Sequence, residues 1–143
     1  MIQVILATHA GLGKAMLETA AIISGGTEGA KTIGLYPGDG LDGVENELRG
    51  IISKLGKGDS VLCLTDIPGG SLARVAATLA LECPDFHVVS GVNLGMATEA
   101  LLLRDCMEIE QLKGHIITSA VNSIIDVSGS YCAALSEALG SEV

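Results

Sequence analysis

His9 and Asp66 are the residues whose types and settings point most directly to chemistry. The apolar run Ile2–Ala7 leads through Thr8 into His9, with Gly11 and Gly13 close behind. The run Ser60–Leu64 leads through Thr65 into Asp66, and Pro68, Gly69, Gly70 and Ser71 follow. Two strands that each end in a titratable side chain and a glycine-bearing turn place both groups at the carboxyl edge of a sheet, where open α/β folds bind and react. Imidazole has an ordinary pKa of about 6.5, so its neutral, nucleophilic form is available in cells. A carboxylate on one ring nitrogen fixes the tautomer, leaves the other nitrogen's lone pair free, and stabilises positive charge developing on the ring. A hydrolase would need a serine nucleophile. The nearest approach to Gly-x-Ser-x-Gly is Gly69-Gly70-Ser71-Leu72-Ala73, which lacks the final glycine. At a helix start, Gly69, Gly70 and Ser71 instead offer backbone N–H groups and the positive end of a helix dipole, which suit a phosphoryl group. Histidine as phosphoryl acceptor therefore fits better than histidine as a base for a hydroxyl.

Each of these residues also has a plainer reading. A histidine at a strand end is often an ordinary loop residue. Aspartate before Pro-Gly-Gly is common turn chemistry, and Ser71 is most simply a helix N-cap. Gly11-Leu12-Gly13-Lys14 fails as a phosphate loop, because Thr8 replaces the first Walker glycine and Ala15 the Ser or Thr. Response-regulator receivers place an aspartate after their third strand but need an acidic pair after strand one, where this chain has Thr8-His9-Ala10. His87, in an apolar strand, and His115, on a predicted helix, read as structural or solvated.

The elements that must position these groups follow a strand-helix rhythm. Strands are expected at Ile2–Thr8, Lys31–Tyr36, Ser60–Asp66 and Phe86–Val92, with helices at Leu12–Ser24, Leu41–Leu55, Ser71–Glu82 and Met96–Arg104. In the first helix Leu12, Met16, Ala20 and Ile23 are expected to share one apolar face, and Gly25-Gly26 ends it. Alternating strands and amphipathic helices imply parallel βαβ units. The expected fold is a doubly wound α/β sheet, mainly parallel, of order about 2-1-3-4, with helices on both faces. Its switch point, between strands one and three, brings His9 and Asp66 together. Ile109–Ile125 reads as helical. Around Ile124–Val127 both a short strand and a continued helix stay open. No internal repeat or linker divides the chain, so one domain over 1–143 is expected.

Composition excludes several classes. With 48% apolar and 17% charged residues the chain is globular, and 143 residues suffice for a real core. The net charge of −9 and the scarcity of aromatics (Tyr36, Tyr131, Phe86, no Trp) argue against nucleic acid. The apolar start reads as a strand and not as a signal peptide, and no run approaches the 18 or more apolar residues of a membrane helix. Cys63, Cys83, Cys106 and Cys132 lie far apart, as expected of reduced thiols in a cytoplasmic protein. No metal site is expected, because Cys/His ligand spacings are missing.

Four blocks then carry a resemblance: Ile5-Leu6-Ala7-Thr8-His9-Ala10-Gly11, Tyr36-Pro37-Gly38-Asp39, Leu64-Thr65-Asp66-Ile67-Pro68-Gly69-Gly70-Ser71, and Val89-Ser90-Gly91-Val92-Asn93-Leu94. In this order, over residues 2 to about 105, the chain resembles the IIA domain of the mannose-type sugar phosphotransferase system. The resemblance implies that His9 accepts a phosphoryl group from the histidine-containing phosphocarrier HPr and passes it to a IIB component, on its way to a sugar entering through membrane subunits. It implies that Asp66 orients His9 and that Ser71 of the Gly-Gly-Ser turn lies near the phosphoryl group. No cofactor is implied, and the membrane is met only through the transport subunits. Family members are often dimers that exchange a C-terminal strand, so a homodimer with a swapped edge strand is implied. Leu72 and Gly95 stand where relatives often carry proline. Two alternatives are a phosphotransfer subunit serving dihydroxyacetone kinase and a non-enzymatic regulatory module. The doubled glycine before Ser71 favours the sugar system over the first.

Overall fold

The computed structural model describes residues 1–140, so the last three positions of the expected 1–143 span lie outside the described residues. In chain order the elements are β1 (Ile2–His9), α1 (Leu12–Ser24), β2 (Ala30–Leu35), α2 (Leu41–Ile52), β3 (Ser60–Thr65), α3 (Ser71–Glu82), β4 (Phe86–Ser90), α4 (Leu94–Leu103), α5 (Ile109–Asn122) and α6 (Val127–Gly140). The four strands form one sheet in the order β2-β1-β3-β4. Every pairing is parallel. The expected doubly wound α/β architecture is therefore the observed one. No helix among the described residues is long and apolar enough to cross a membrane.

Helices cover both faces, so the central strands are apolar on both sides, as buried parallel strands require. On one face Val4 and Leu6 of β1 and Leu62 and Leu64 of β3 meet Leu17 and Ala20 of α1, Met96 and Leu101 of α4, and Leu112 and Ile116 of α5. On the other, Ile5 and Ala7 of β1 and Val61 and Cys63 of β3 meet Val44, Leu48 and Ile51 of α2 and Leu72, Ala76 and Leu79 of α3. With no Trp, and Phe86 as the one phenylalanine, these layers are aliphatic.

The structure corrects one expectation and decides between two alternatives the sequence left open. In α1 the buried residues are Gly13, Leu17 and Ala20, whereas Leu12 and Ile23 are 45% and 60% exposed. The helix presents its smallest residue to β1: a Cβ on Gly13 would lie 2.8 Å from Thr8 Oγ1 and 3.1 Å from the Leu6 carbonyl oxygen. Only glycine permits that approach. At the other end, the short strand considered around Ile124–Val127 does not form. Asp126 accepts the Gly129 amide at 3.0 Å through Oδ1, an N-cap bond that starts α6. The segment for which an exchanged edge strand was implied is thus helical from Val127 to Gly140, with none of its residues buried.

A second close approach fixes the carboxyl edge. Gly34 of β2 pairs with Thr8, and a Cβ there would lie 2.7 Å from the Ala10 carbonyl oxygen and 2.9 Å from a ring carbon of Tyr36. Gly34→Ala should destabilise the fold by about 1–3 kcal/mol through this overpacking. Urea unfolding measures it; an unchanged midpoint would contradict the approach.

Candidate functional site

His9 closes β1 and Asp66 directly follows β3, and these strands are neighbours with Ala7 opposite Thr65. The connections from β1 and β3 leave in opposite directions across the sheet, which opens a crevice between them. There the two side chains meet. The His9 amide donates to Asp66 Oδ2 at 2.8 Å. His9 Nδ1 lies 3.0 Å from Oδ2 and 3.1 Å from Oδ1. The Ile67 amide donates to Oδ1 at 2.9 Å. An ionised carboxylate only accepts, so Nδ1 carries the proton and Nε2 is left with a lone pair. The Asp66 side chain is 9% exposed while that of His9 is 42% exposed, so the orienting group is shielded and the oriented ring is open.

Electrostatics agree with this division. Burial pushes the Asp66 carboxyl up, but the hydrogen bonds from the His9 amide, the His9 ring and the Ile67 amide together outweigh it. The carboxyl is held below its usual range. It is therefore an anion at neutral pH.

The backbone on both sides is secured. Ala10 adopts a left-handed φ of 49°, and its amide donates to the Leu35 carbonyl at 2.8 Å. The Gly13 amide donates to the hydroxyl of the wholly buried Thr8 at 2.7 Å. On β3, the Thr65 hydroxyl bonds Ser90 Oγ at 2.7 Å. The Thr65 carbonyl accepts the Gly91 and Val92 amides at 2.9 and 3.0 Å.

Gly69, Gly70 and Ser71 lie on the loop that carries Asp66. Gly69 takes a φ of 75°, and the Gly70 amide closes the turn on the Ile67 carbonyl at 2.9 Å. Ser71 proves to be the first helical residue; Gly70 is the N-cap, in extended conformation, and no side chain caps α3. The leading amides of a helix have no acceptor within it, so this head offers free donors. None of the three residues hydrogen-bonds the His9 ring. Leu72 is 1% exposed and anchors α3 in the core.

Other titratable groups stand apart. His87 Nδ1 is 3.3 Å from both Lys113 Nζ and Glu110 Oε1, and His115 Nε2 is 3.1 Å from Glu99 Oε2. All four cysteines are free, and burial pushes the Cys63 thiol up to about 12. A cavity of about 410 Å³ lined by Ser24, Gly25, Glu28, Leu101 and Arg104 lies at the C-terminal ends of α1 and α4, at the edge of the sheet opposite His9.

Sequence reasoning expected His9 and Asp66 to meet, as they do, and placed the glycine turn on the Asp66 loop. It missed the work of Thr8 and Thr65. The signal was present: a threonine directly precedes each titratable residue at each strand end.

Comparison with known proteins bears on the same edge of the sheet. The profile of the EIIA-man family, the phosphotransferase-system fructose IIA component, matches residues 3–117. The mannose-specific EIIAB component of Escherichia coli (strain K12) is 29% identical over 104 residues, covering 73% of this chain. That match spans 32% of the E. coli protein, so the chain corresponds to about a third of it. The sorbose-specific EIIA component of Lacticaseibacillus casei is 30% identical over 115 residues, 80% of this chain and 83% of the relative. The crystal structure of a phosphotransferase-system EIIA component from Streptococcus agalactiae superposes with a TM-score of 0.82 at 30% identity, covering 90% of this chain and 99% of that one.

The Asp66 geometry makes a pH prediction. Its folded value lies below its unfolded one, so the contact's contribution is present above the ordinary carboxylate value, about 3.9, and is lost as pH falls through the folded value. Carbon NMR of the Asp66 carboxyl should titrate with a midpoint under about 3.9. A midpoint above it would contradict the three-donor arrangement.

Proposed function

The chain belongs to the EIIA-man family of phosphotransferase-system IIA components, and we propose that it is a phosphocarrier in which His9 takes a phosphoryl group from phosphorylated HPr and passes it to a IIB component. One observation carries this reading: the shielded Asp66 carboxylate grips Nδ1 of a ring that remains open to a partner. The His9 Nε2 lone pair attacks phosphorus while the phosphorus–nitrogen bond of the donor's phosphohistidine breaks, and that electron pair returns to the donor ring. The Nδ1 proton stays in place. His9 becomes a phosphorylated imidazolium, and the Asp66 anion stabilises the positive charge. In the second transfer the Nε2–phosphorus bond breaks, its pair returns to the ring, and the acceptor takes the phosphoryl group.

Gly69, Gly70 and Ser71 belong to the proposal as the phosphoryl-binding turn, because the uncapped head of α3 presents donors and a positive dipole end to an anion. Transfer of this kind is largely positioning and electrostatics, so the side chains present suffice once the donor is docked. The half-open ring suits protein partners, which can cover it during transfer. Pairing of two copies belongs to the same reading. It is supported by the edge position of β4 and by the exposed apolar residues Ile124, Ile125, Val127, Tyr131 and Leu139 of the C-terminal segment. The relatives carry different sugar names, mannose and sorbose, so the reading stops at the sugar system and names no sugar.

His9→Ala should abolish acid-labile labelling by phosphorylated HPr while circular dichroism stays unchanged; label retained in that variant would move the acceptor elsewhere. Asp66→Asn should still be labelled but about a hundredfold more slowly, since a misoriented group loses rate on that scale. Quench-flow transfer at the wild-type rate would remove Asp66 from the orienting role.

A further inference from the structure

Thr8 and His9 are consecutive residues of β1 and therefore point to opposite faces of the sheet. His9 shares its face with Ile5 and Ala7, towards α2 and α3, and meets Asp66 there. Thr8 shares its face with Val4 and Leu6, towards α1. Its hydroxyl is wholly buried and accepts the Gly13 amide at 2.7 Å. Gly13 is the second residue of α1, so this amide is one of the donors that a helix cannot satisfy itself. The N-cap, Gly11, has no side chain to do so, and no side-chain cap bond is made from it. Thr8 thus caps α1 from the preceding strand. The span it closes is His9-Ala10-Gly11-Leu12, the turn that presents the imidazole.

That turn has reason to relax. Ala10 lies at a φ of 49°, a left-handed conformation that an L-residue with a Cβ occupies at a cost. Two tethers hold it on either side: the Ala10 amide on the Leu35 carbonyl, at 2.8 Å, and the Gly13 amide on Thr8. The fit is close, because a Cβ on Gly13 would sit 2.8 Å from the Thr8 hydroxyl oxygen. If the second tether is cut, the His9 backbone is free to shift. Its amide and ring bonds to Asp66 then fail together, because both leave the same residue for the same carboxylate.

We propose that Thr8 is a positioning residue for the phosphoacceptor: its buried hydroxyl, by capping α1, sets the turn in which Asp66 holds His9 as the Nδ1–H tautomer. This rests on the reading of His9 as acceptor, and one of its measurements needs no phosphoryl donor. A solvent-exposed neutral histidine side chain favours the Nε2–H form, so an Nδ1–H ring is a signature of the held state. The test is a series, Thr8→Ser, Thr8→Cys and Thr8→Val, with nitrogen NMR of the His9 ring near neutral pH and the rate of labelling by phosphorylated HPr, both well below each variant's thermal midpoint. Ser keeps a good acceptor, Cys a weak one, and Val none at similar shape. The expected result is a graded loss. Ser behaves as wild type, while Val shifts the ring towards Nε2–H and slows transfer about tenfold or more at saturating HPr, with KM little changed. If Val does not fold, Cys falling between wild type and baseline carries the same conclusion. A Val or Cys variant with wild-type tautomer and rate overturns the proposal, whatever its thermal midpoint, and so does a Ser variant that fails as badly as Val. Absence of label on wild-type His9 would sink the acceptor reading alone, and the tautomer series would still decide what Thr8 does.

Discussion

Asp66 holds His9 at two points, the backbone amide and Nδ1, while the Ile67 amide holds Asp66 in turn. One carboxylate thereby joins the end of β1 to the end of β3 and sets both the position and the proton inventory of the ring. The remaining features of this edge serve that contact. Strand order makes the two ends neighbours, Gly34 lets β2 approach the His9 turn, and the bond between Thr65 and Ser90 ties β3 to β4 beneath Asp66. A carboxylate this shielded is tolerable because three donors compensate it.

Much of this was legible in the residues. Helix starts at Leu12, Leu41 and Ser71 followed from glycine-bearing turns and apolar periodicity, and the strand order followed from parallel βαβ units and the need for opposite exits from β1. The pairing of His9 with Asp66 followed from that order. The inward face of α1 did not, because a hydropathy count gives Gly13 no weight. The structure turns on Gly13 for what it lacks, a Cβ that would meet Thr8. The tail was misleading for another reason. Ile124, Ile125 and Val127 suit a strand, yet Asp126 sits among them with a side chain that caps a helix. Nor does spacing reveal that a threonine hydroxyl reaches a glycine amide five positions on.

The two cores divide the work. One face, with α1, α4 and α5, supports the turn that follows His9, and the other, with α2 and α3, supports the carboxylate loop. The ring is half-exposed at the carboxyl edge of the sheet, away from the 410 Å³ cavity. Such placement suits exchange between protein surfaces more than capture of a small substrate in a pocket. It agrees with membership of a family whose members carry different sugars in their names while sharing this fold.

The central claim is that Asp66 occupies Nδ1 and leaves Nε2 to react. Nitrogen–phosphorus correlation NMR of the protein after incubation with phosphorylated HPr tests it at the level of the bond formed. The account predicts coupling of phosphorus to Nε2 of His9. Coupling to Nδ1 of His9, or phosphorus on any other residue, would contradict it.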